Sequence, residues 1–388
     1  MSSSQLSRRH FGQLMAGAFG AVTVVPRFAR AGAWVAPAAR HSNLPASAVR
    51  IDSNENPYGP SPKALEAMTR SQKISARYPD ALEDEVSGAL AALHKVAPEQ
   101  VILGCGSGEI LRVADTAFLG SDRNVVVAEP TFEAVLAFAR VIHADAIKVP
   151  LTPDHRHDLK AMAAACTPAT GLIYLCNPNN PTGTIVKREE MDAFFKSAPR
   201  SAIILVDEAY FHFVEDEQYA SALEWLSRYP NLLVVRTFSK IYGLAGMRLG
   251  YGVGSKETIA AMRPHRIWSN ANASVLEAAL ASLADADNVK ECRRAMNETR
   301  RWVCAEMQKD GRAVIPSQAN FIMIDVGSDV EPIIAALRGQ NILVGRKFPS
   351  LPNWLRVSMG TPEEMQKFVA ALRSVAPAAH AAAARLSA

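Results

Sequence analysis

The residues best suited to chemistry lie in one stretch, Val234-Val235-Arg236-Thr237-Phe238-Ser239-Lys240, which runs on through a Gly-rich segment to Arg248. The apolar run from Leu232 to Val235 reads as a buried strand that breaks into a turn carrying Thr237, Ser239 and Lys240. Glycines around Arg248 let backbone approach a ligand closely. A lysine at a strand-end turn, with hydroxyls just before it, suits a Schiff base with pyridoxal phosphate: Lys240 takes the carbonyl while Thr237, Ser239 and Arg248 hold the phosphate. Taken alone, the segment also fits a solvated loop lysine.

Other candidates fall at the ends of other apolar runs. Gly104-Cys105-Gly106-Ser107-Gly108-Glu109 is a Gly-rich turn opening a helix, which presents free N–H groups to an anion. Ser107, Gly108 and Glu109 are therefore expected to bind phosphate through their backbone. Glu109 stands at the last glycine position of the dinucleotide pattern Gly-x-Gly-x-x-Gly, so that pattern is excluded. Phe132, just past a strand end, could stack on a planar ring or simply fill the core. Cys176-Asn177-Pro178-Asn179-Asn180-Pro181-Thr182-Gly183 is more specific, because two Asn-Pro steps fix a turn and aim amides at a site. Asp207 ends the run Leu205-Val206, with Tyr210 following. A buried acid facing a pyridine nitrogen keeps it protonated, and Asn180 and Tyr210 could both bond a ring phenolate. Arg356 lies in an otherwise apolar strand-like run, where a fixed guanidinium fork suits a carboxylate or phosphate; a structural salt bridge is the alternative. Arg346 and Tyr58 are weaker candidates for the same substrate.

The elements that position these residues are short apolar runs separated by helix-length segments: Val101 to Leu103, Val125 to Ala128, Leu172 to Cys176, Ile203 to Val206, Leu232 to Val235 and Leu249 to Val253. That alternation predicts an α/β fold with a mostly parallel sheet covered by helices, whose ligands sit outside the carboxyl ends of the strands. From about residue 274 the pattern changes to longer helices with strand-like runs at 319–325 and around Arg356, a smaller C-terminal α/β domain. The expected organisation is a linker and arm at 32–61, a large domain at 62–273, a small domain at 274–375 and a tail at 376–388.

The 388 residues suffice for a substantial core, and a net charge of +4 with no basic stripe gives nucleic-acid binding no support. Five scattered cysteines show neither metal-ligand spacing nor a disulfide framework, so no metal is expected. Ser7-Arg8-Arg9-His10-Phe11 precedes an apolar run from Leu14 to Val25 and a small-x-small site, Ala29-Arg30-Ala31. This order matches a twin-arginine export signal at 1–31, the run being too short and Gly-rich for a membrane span. The expected mature chain starts near Gly32 and is periplasmic or secreted; a cytoplasmic protein with an ordinary amphipathic extension is the alternative.

Together, Asn180-Pro181-x-Gly183, Asp207-x-x-Tyr210, Ser239-Lys240 with Arg248, and Arg356-Val-Ser-Met-Gly resemble the class I/II aminotransferases of pyridoxal-phosphate fold type I. The arm Asn54-Glu55-Asn56-Pro57-Tyr58-Gly59, Arg77-Tyr78-Pro79 and Ala319-Asn320-Phe321 are most similar to the histidinol-phosphate aminotransferase branch. The resemblance implies that Lys240 carries the cofactor and is the base of the proton shift. It pairs Asp207 with the pyridine nitrogen, and Asn180 and Tyr210 with the phenolate. It implies a homodimer in which Tyr78 reaches the partner's cofactor, an amino donor and an oxo acid as substrates, and Arg356 on the substrate carboxylate or phosphate. Phe132 stands where that branch commonly has tyrosine, and Gly108 where it commonly has aspartate. An export signal favours another amine than the histidine precursor as substrate. A decarboxylase, lyase or racemase on the same scaffold is the alternative reaction class, and a non-catalytic binding protein the alternative to an enzyme.

Overall fold

In a computed structural model of the protein, residue 45 and residues 47–377 are described. The expected export signal, most of the linker and most of the tail lie outside them. The chain enters through β1 (Val49–Ile51) and then builds a sheet from β2 (Val101–Gly104), β3 (Asn124–Glu129), β4 (Ala146–Pro150), β5 (Thr170–Cys176), β6 (Ile203–Asp207), β7 (Leu232–Thr237) and β8 (Gly250–Gly254). The sheet order is β2-β8-β7-β6-β5-β3-β4, and β8 alone runs against its neighbours.

Burial explains why the central strands read as continuous apolar runs. Val126, Ile173, Ile204 and Val234 pack into the core on one face of the sheet. Their alternate neighbours Val127, Leu172, Leu205 and Leu233 pack into a second core on the other face. Each strand position therefore meets a core, as a sheet covered on both sides requires. All six runs expected from the sequence are strands. The seventh, β4, was not expected, because it is an edge strand with only Val149 buried and Lys148 facing solvent.

After the sheet come the helix Ala273–Leu283 and the long helix Ala286–Lys309, then β9 (Phe321–Asp325), β10 (Ile342–Val344) and β11 (Trp354–Ser358). β9 and β11 form an antiparallel pair, and β10 pairs in parallel with β1. The arm thus contributes a strand to the C-terminal part of the fold.

Candidate active site

Register brings the strand ends level. Cys176 pairs with Asp207, Asp207 with Val235, and Thr237 and Gly104 both with Gly250. The turns that follow β2, β3, β5, β6 and β7, and the one that precedes β8, therefore open on the same edge. This is where ligands bind in such sheets.

On the anion side, Ser107 and Gly108 start the helix Ser107–Phe118, whose first N–H groups have no intrahelical acceptor. Gly106 adopts φ 79° at the cap, and a Cβ there would overlap the Arg248 guanidinium. A Cβ at Gly250 would overlap the Ser107 amide. These two glycines let Arg248 and the helix start converge on one small cradle. Arg248 Nη1 donates to Ser239 Oγ at 3.4 Å, and Thr237 Oγ1 accepts the Ser239 amide at 3.0 Å. The cradle has the shape and donor set of a phosphate site. Glu109 departs from expectation: its amide bonds Gly106 O at 3.1 Å, and its carboxylate accepts from the Cys105 amide at 2.6 Å. It braces the turn from within and is not a free donor. A side chain at Gly108 would meet open space, so the aspartate common in that branch is absent without any steric demand for glycine.

In the centre, Asp207 is buried, with Oδ2 accepting from the Tyr174 hydroxyl at 3.0 Å and Oδ1 from the Ala209 amide at 3.1 Å. Burial pushes its carboxyl up to about 6, against both hydrogen bonds and the charge of Lys240. Burial and the Arg356 and Arg248 charges bring the Lys240 ammonium down to about 8, with Glu55 and Asp207 opposing. Lys240 Nζ donates to Ser53 O at 3.4 Å and lies 5.5 Å from the Tyr210 ring centre. Tyr210 Oη accepts from Asn54 Nδ2 at 3.1 Å and from Asn180 Nδ2 at 3.5 Å; burial raises its pKa, so it remains a phenol. Phe132 is 38% exposed at the mouth and does not fill the core.

On the outer side, Arg356 Nη1 donates to Asn180 Oδ1 at 2.8 Å and Nη2 to Asp52 O at 2.7 Å. One amide, Asn180, therefore touches both Arg356 and Tyr210. Arg346 lies at the rim: it pairs with Glu133, beside Phe132, and stacks 4.3 Å from Phe348, whose ring Arg356 approaches at 5.3 Å. Two expected residues are not brought to this cluster within one chain. Tyr58 is 42% exposed and Tyr78 85% exposed.

Several residues of the cluster were not singled out from the sequence. Asn54 is the largest omission. Besides its bond to Tyr210, its amide donates to Ser358 Oγ at 2.8 Å, and Asn320 Nδ2 donates to its carbonyl at 3.1 Å. The arm motif holding Asn54 was visible, but only its tyrosine was given a task. Tyr174 left a fainter signal, a lone phenol within an apolar strand.

The sequence matches the family described as aminotransferase class I and II over residues 47–372. The histidinol-phosphate aminotransferase of Brevibacillus brevis is 38% identical over 328 residues, 84% of this chain and 90% of that protein. Histidinol-phosphate aminotransferase 2 of Ralstonia nicotianae is 39% identical over 340 residues, 86% of this chain and 90% of that protein. The crystal structure of the Sinorhizobium meliloti histidinol-phosphate aminotransferase in complex with pyridoxal 5'-phosphate superposes with a TM-score of 0.83 at 28% identity, covering 92% of this chain and 98% of that one. The chain belongs to the class I and II aminotransferases and is a pyridoxal-phosphate-dependent transaminase.

Proposed function

We propose that Lys240, Asp207, Asn180, Tyr210 and the Ser107–Arg248 cradle hold pyridoxal phosphate, and that Arg356 takes the acidic group of the amine substrate. When bound, the cofactor supplies a reactive carbonyl and a ring that accepts electrons. Lys240 is its attachment point and the base that moves the proton at the substrate Cα. A pKa near 8 leaves part of its population as free amine at neutral pH. Asp207 holds a proton on the ring nitrogen. Asn180 and Tyr210 bond the ring oxygen, and the cradle of Ser107, Gly108, Thr237, Ser239 and Arg248 takes the phosphate. Phe132 covers the ring face. The observation that carries this reading is the level register that puts Asp207 and the Lys240 turn on adjacent strand ends beside an anion cradle.

On the substrate side, Asn180 and Asp52 hold the Arg356 guanidinium beside the cluster, a group suited to the carboxylate of an amino or oxo acid or the phosphate of an amine phosphate such as histidinol phosphate. Arg346 and Tyr58 supply the rim of that pocket, Tyr58 from the partner of a homodimer. The dimer is supported by exposed aromatics: Tyr78 and Trp268 are each 85% exposed, on segments joined by the bond from Ser269 Oγ to Asp80. In this reading Tyr78 crosses to the other subunit's phosphate. Kinetics with histidinol phosphate, glutamate and aromatic amino acids as donors test the substrate. Light scattering tests the dimer; a monomer that retains full turnover would contradict it.

The family match begins at residue 47, and the segment before it carries the paired Arg8 and Arg9, the apolar run and Ala29-Arg30-Ala31. These features support export through the twin-arginine route to the periplasm. Protein recovered from the periplasm is expected to begin near Gly32; an intact N-terminus on exclusively cytosolic protein would refute it. An exported enzyme would act on an amine met outside the cytosol.

A further inference from the structure

We infer that Tyr174 is a positioning residue for the transamination: its buried hydroxyl, donating from β5, fixes the Asp207 carboxylate in place on β6. The inference rests on the reading of Asp207 as the partner of the cofactor's ring nitrogen and extends it to a residue outside the cofactor's contacts.

The geometry follows from register. Tyr174 pairs with Leu205 and Cys176 with Asp207, so Tyr174 and Asp207 are diagonal neighbours on one face of the sheet, within reach of a long side chain. Its nearest neighbours on that face of β5 are Leu172 and Cys176, and Tyr174 is wholly buried in that core. A buried phenol requires a partner, and Asp207 Oδ2 accepts from it at 3.0 Å. With the Ala209 amide on Oδ1, both carboxylate oxygens are gripped from different directions, which leaves the side chain a single orientation.

The groups facing Asp207 set the sign of the effect. Burial and the neighbouring Glu208 favour the neutral acid; Tyr174, the Ala209 amide and Lys240 favour the carboxylate. Tyr174 and Cys176 both have their own pKa values raised by burial and by Asp207, so both stay protonated and Tyr174 acts only as donor. Removing its hydroxyl raises the Asp207 pKa further from about 6, toward neutral pH. A neutral Asp207 cannot stabilise a protonated ring nitrogen.

The test is Tyr174→Phe, which keeps the ring and loses the hydroxyl. Its readout is the dissociation constant of pyridoxal phosphate from the cofactor-free protein, measured by absorbance between pH 5.5 and 8.5. Affinity is expected to fall about tenfold at pH 6 and much less at pH 8.5, as loss of one hydrogen bond to a charged group predicts. In the loaded enzyme, the acid limb of kcat moves up by about one pH unit while KM for the amine stays within about twofold. Cys176→Ala, on the same strand face, is expected to leave both profiles in place. A loss that is equal at every pH, no loss, or the same shift in Cys176→Ala would overturn the role of Tyr174. Asp207→Asn separates the two levels. If it binds cofactor and turns over like the parent, the reading of Asp207 itself fails; if it is inactive while Tyr174→Phe is unchanged, only the present inference fails.

Discussion

Asp207 and Lys240 reach the site from adjacent strands of one seven-stranded sheet, whereas Arg356 comes from a separate two-stranded sheet and is held by the Asp52 carbonyl, 304 positions away in sequence. The cofactor side is thus built by local rules: a strand ends, a turn follows, and the register with its neighbour places the turn. The substrate side is built by long-range closure, in which the arm, the Asn320 turn and β11 come together from distant parts of the sequence. Asn54 is the joint between them, bonded to Tyr210 on one side and Ser358 on the other. Chemistry common to a family is expected on the first side, and choice of substrate on the second.

The largest expected effect tests the first side. Lys240→Ala should reduce turnover by at least about 10³-fold and remove the absorbance of covalently bound cofactor, with the fold intact by circular dichroism. Retained turnover would remove the lysine from the account.

The next effect concerns what holds those strand ends together. Arg236 donates from Nε and Nη2 to Glu208 Oε2 at 3.0 and 2.7 Å, and both residues are buried directly behind Thr237 and Asp207. Glu208→Gln leaves a buried guanidinium without its counter-charge and should cost about 3–5 kcal/mol in urea unfolding. A change below about 1 kcal/mol would mean that the pair does not brace the site.

Arg356→Lys sharpens the contrast. Losing the bidentate fork should raise KM for acidic substrates about ten- to a hundredfold. Cofactor affinity should change much less, because the cradle lies on the other side. Equal losses in both would show that the two sides are not separable.

The smallest effect links them. An amine that is to form a Schiff base with a carbonyl must be neutral, and the Lys240 pKa near 8 is held down by burial first and by Arg356 next. The rate at which cofactor-free protein takes up pyridoxal phosphate should therefore rise with pH and level off above about 8. Arg356→Met removes a positive charge that disfavours the ammonium, so its plateau should begin at higher pH. Stopped-flow absorbance across pH 6 to 10 reads both; an unchanged midpoint would mean that Arg356 does not act on Lys240 electrically.

Legibility in the sequence followed the same division. The strands β2, β3, β5, β6 and β7 are apolar on both faces, β8 sets Tyr251 and Val253 between glycines, and the candidate chemical residues stand at their ends. β1 and β10 are three-residue strands that exist only because they pair with each other across most of the chain. Their pattern is too short to carry a period. Asn54, Asn320 and Ser358 form one hydrogen-bonded joint from three distant segments, and nothing in their local spacing predicts it. Glu109 was misread because a helix N-terminus was expected to leave its amide free, while the turn closes on that amide and on the carboxylate.

The strand-end cluster makes a transaminase, whichever amine the outer side selects. The most direct measurement is the half-reaction: the loaded enzyme is mixed with one amine donor alone and the cofactor absorbance is followed. Conversion to the amino form of the cofactor in stoichiometric amount, fully reversed by an added oxo acid, is the predicted result. Consumption of many equivalents of donor with the cofactor unchanged would contradict it and assign the site to decarboxylation, elimination or racemisation.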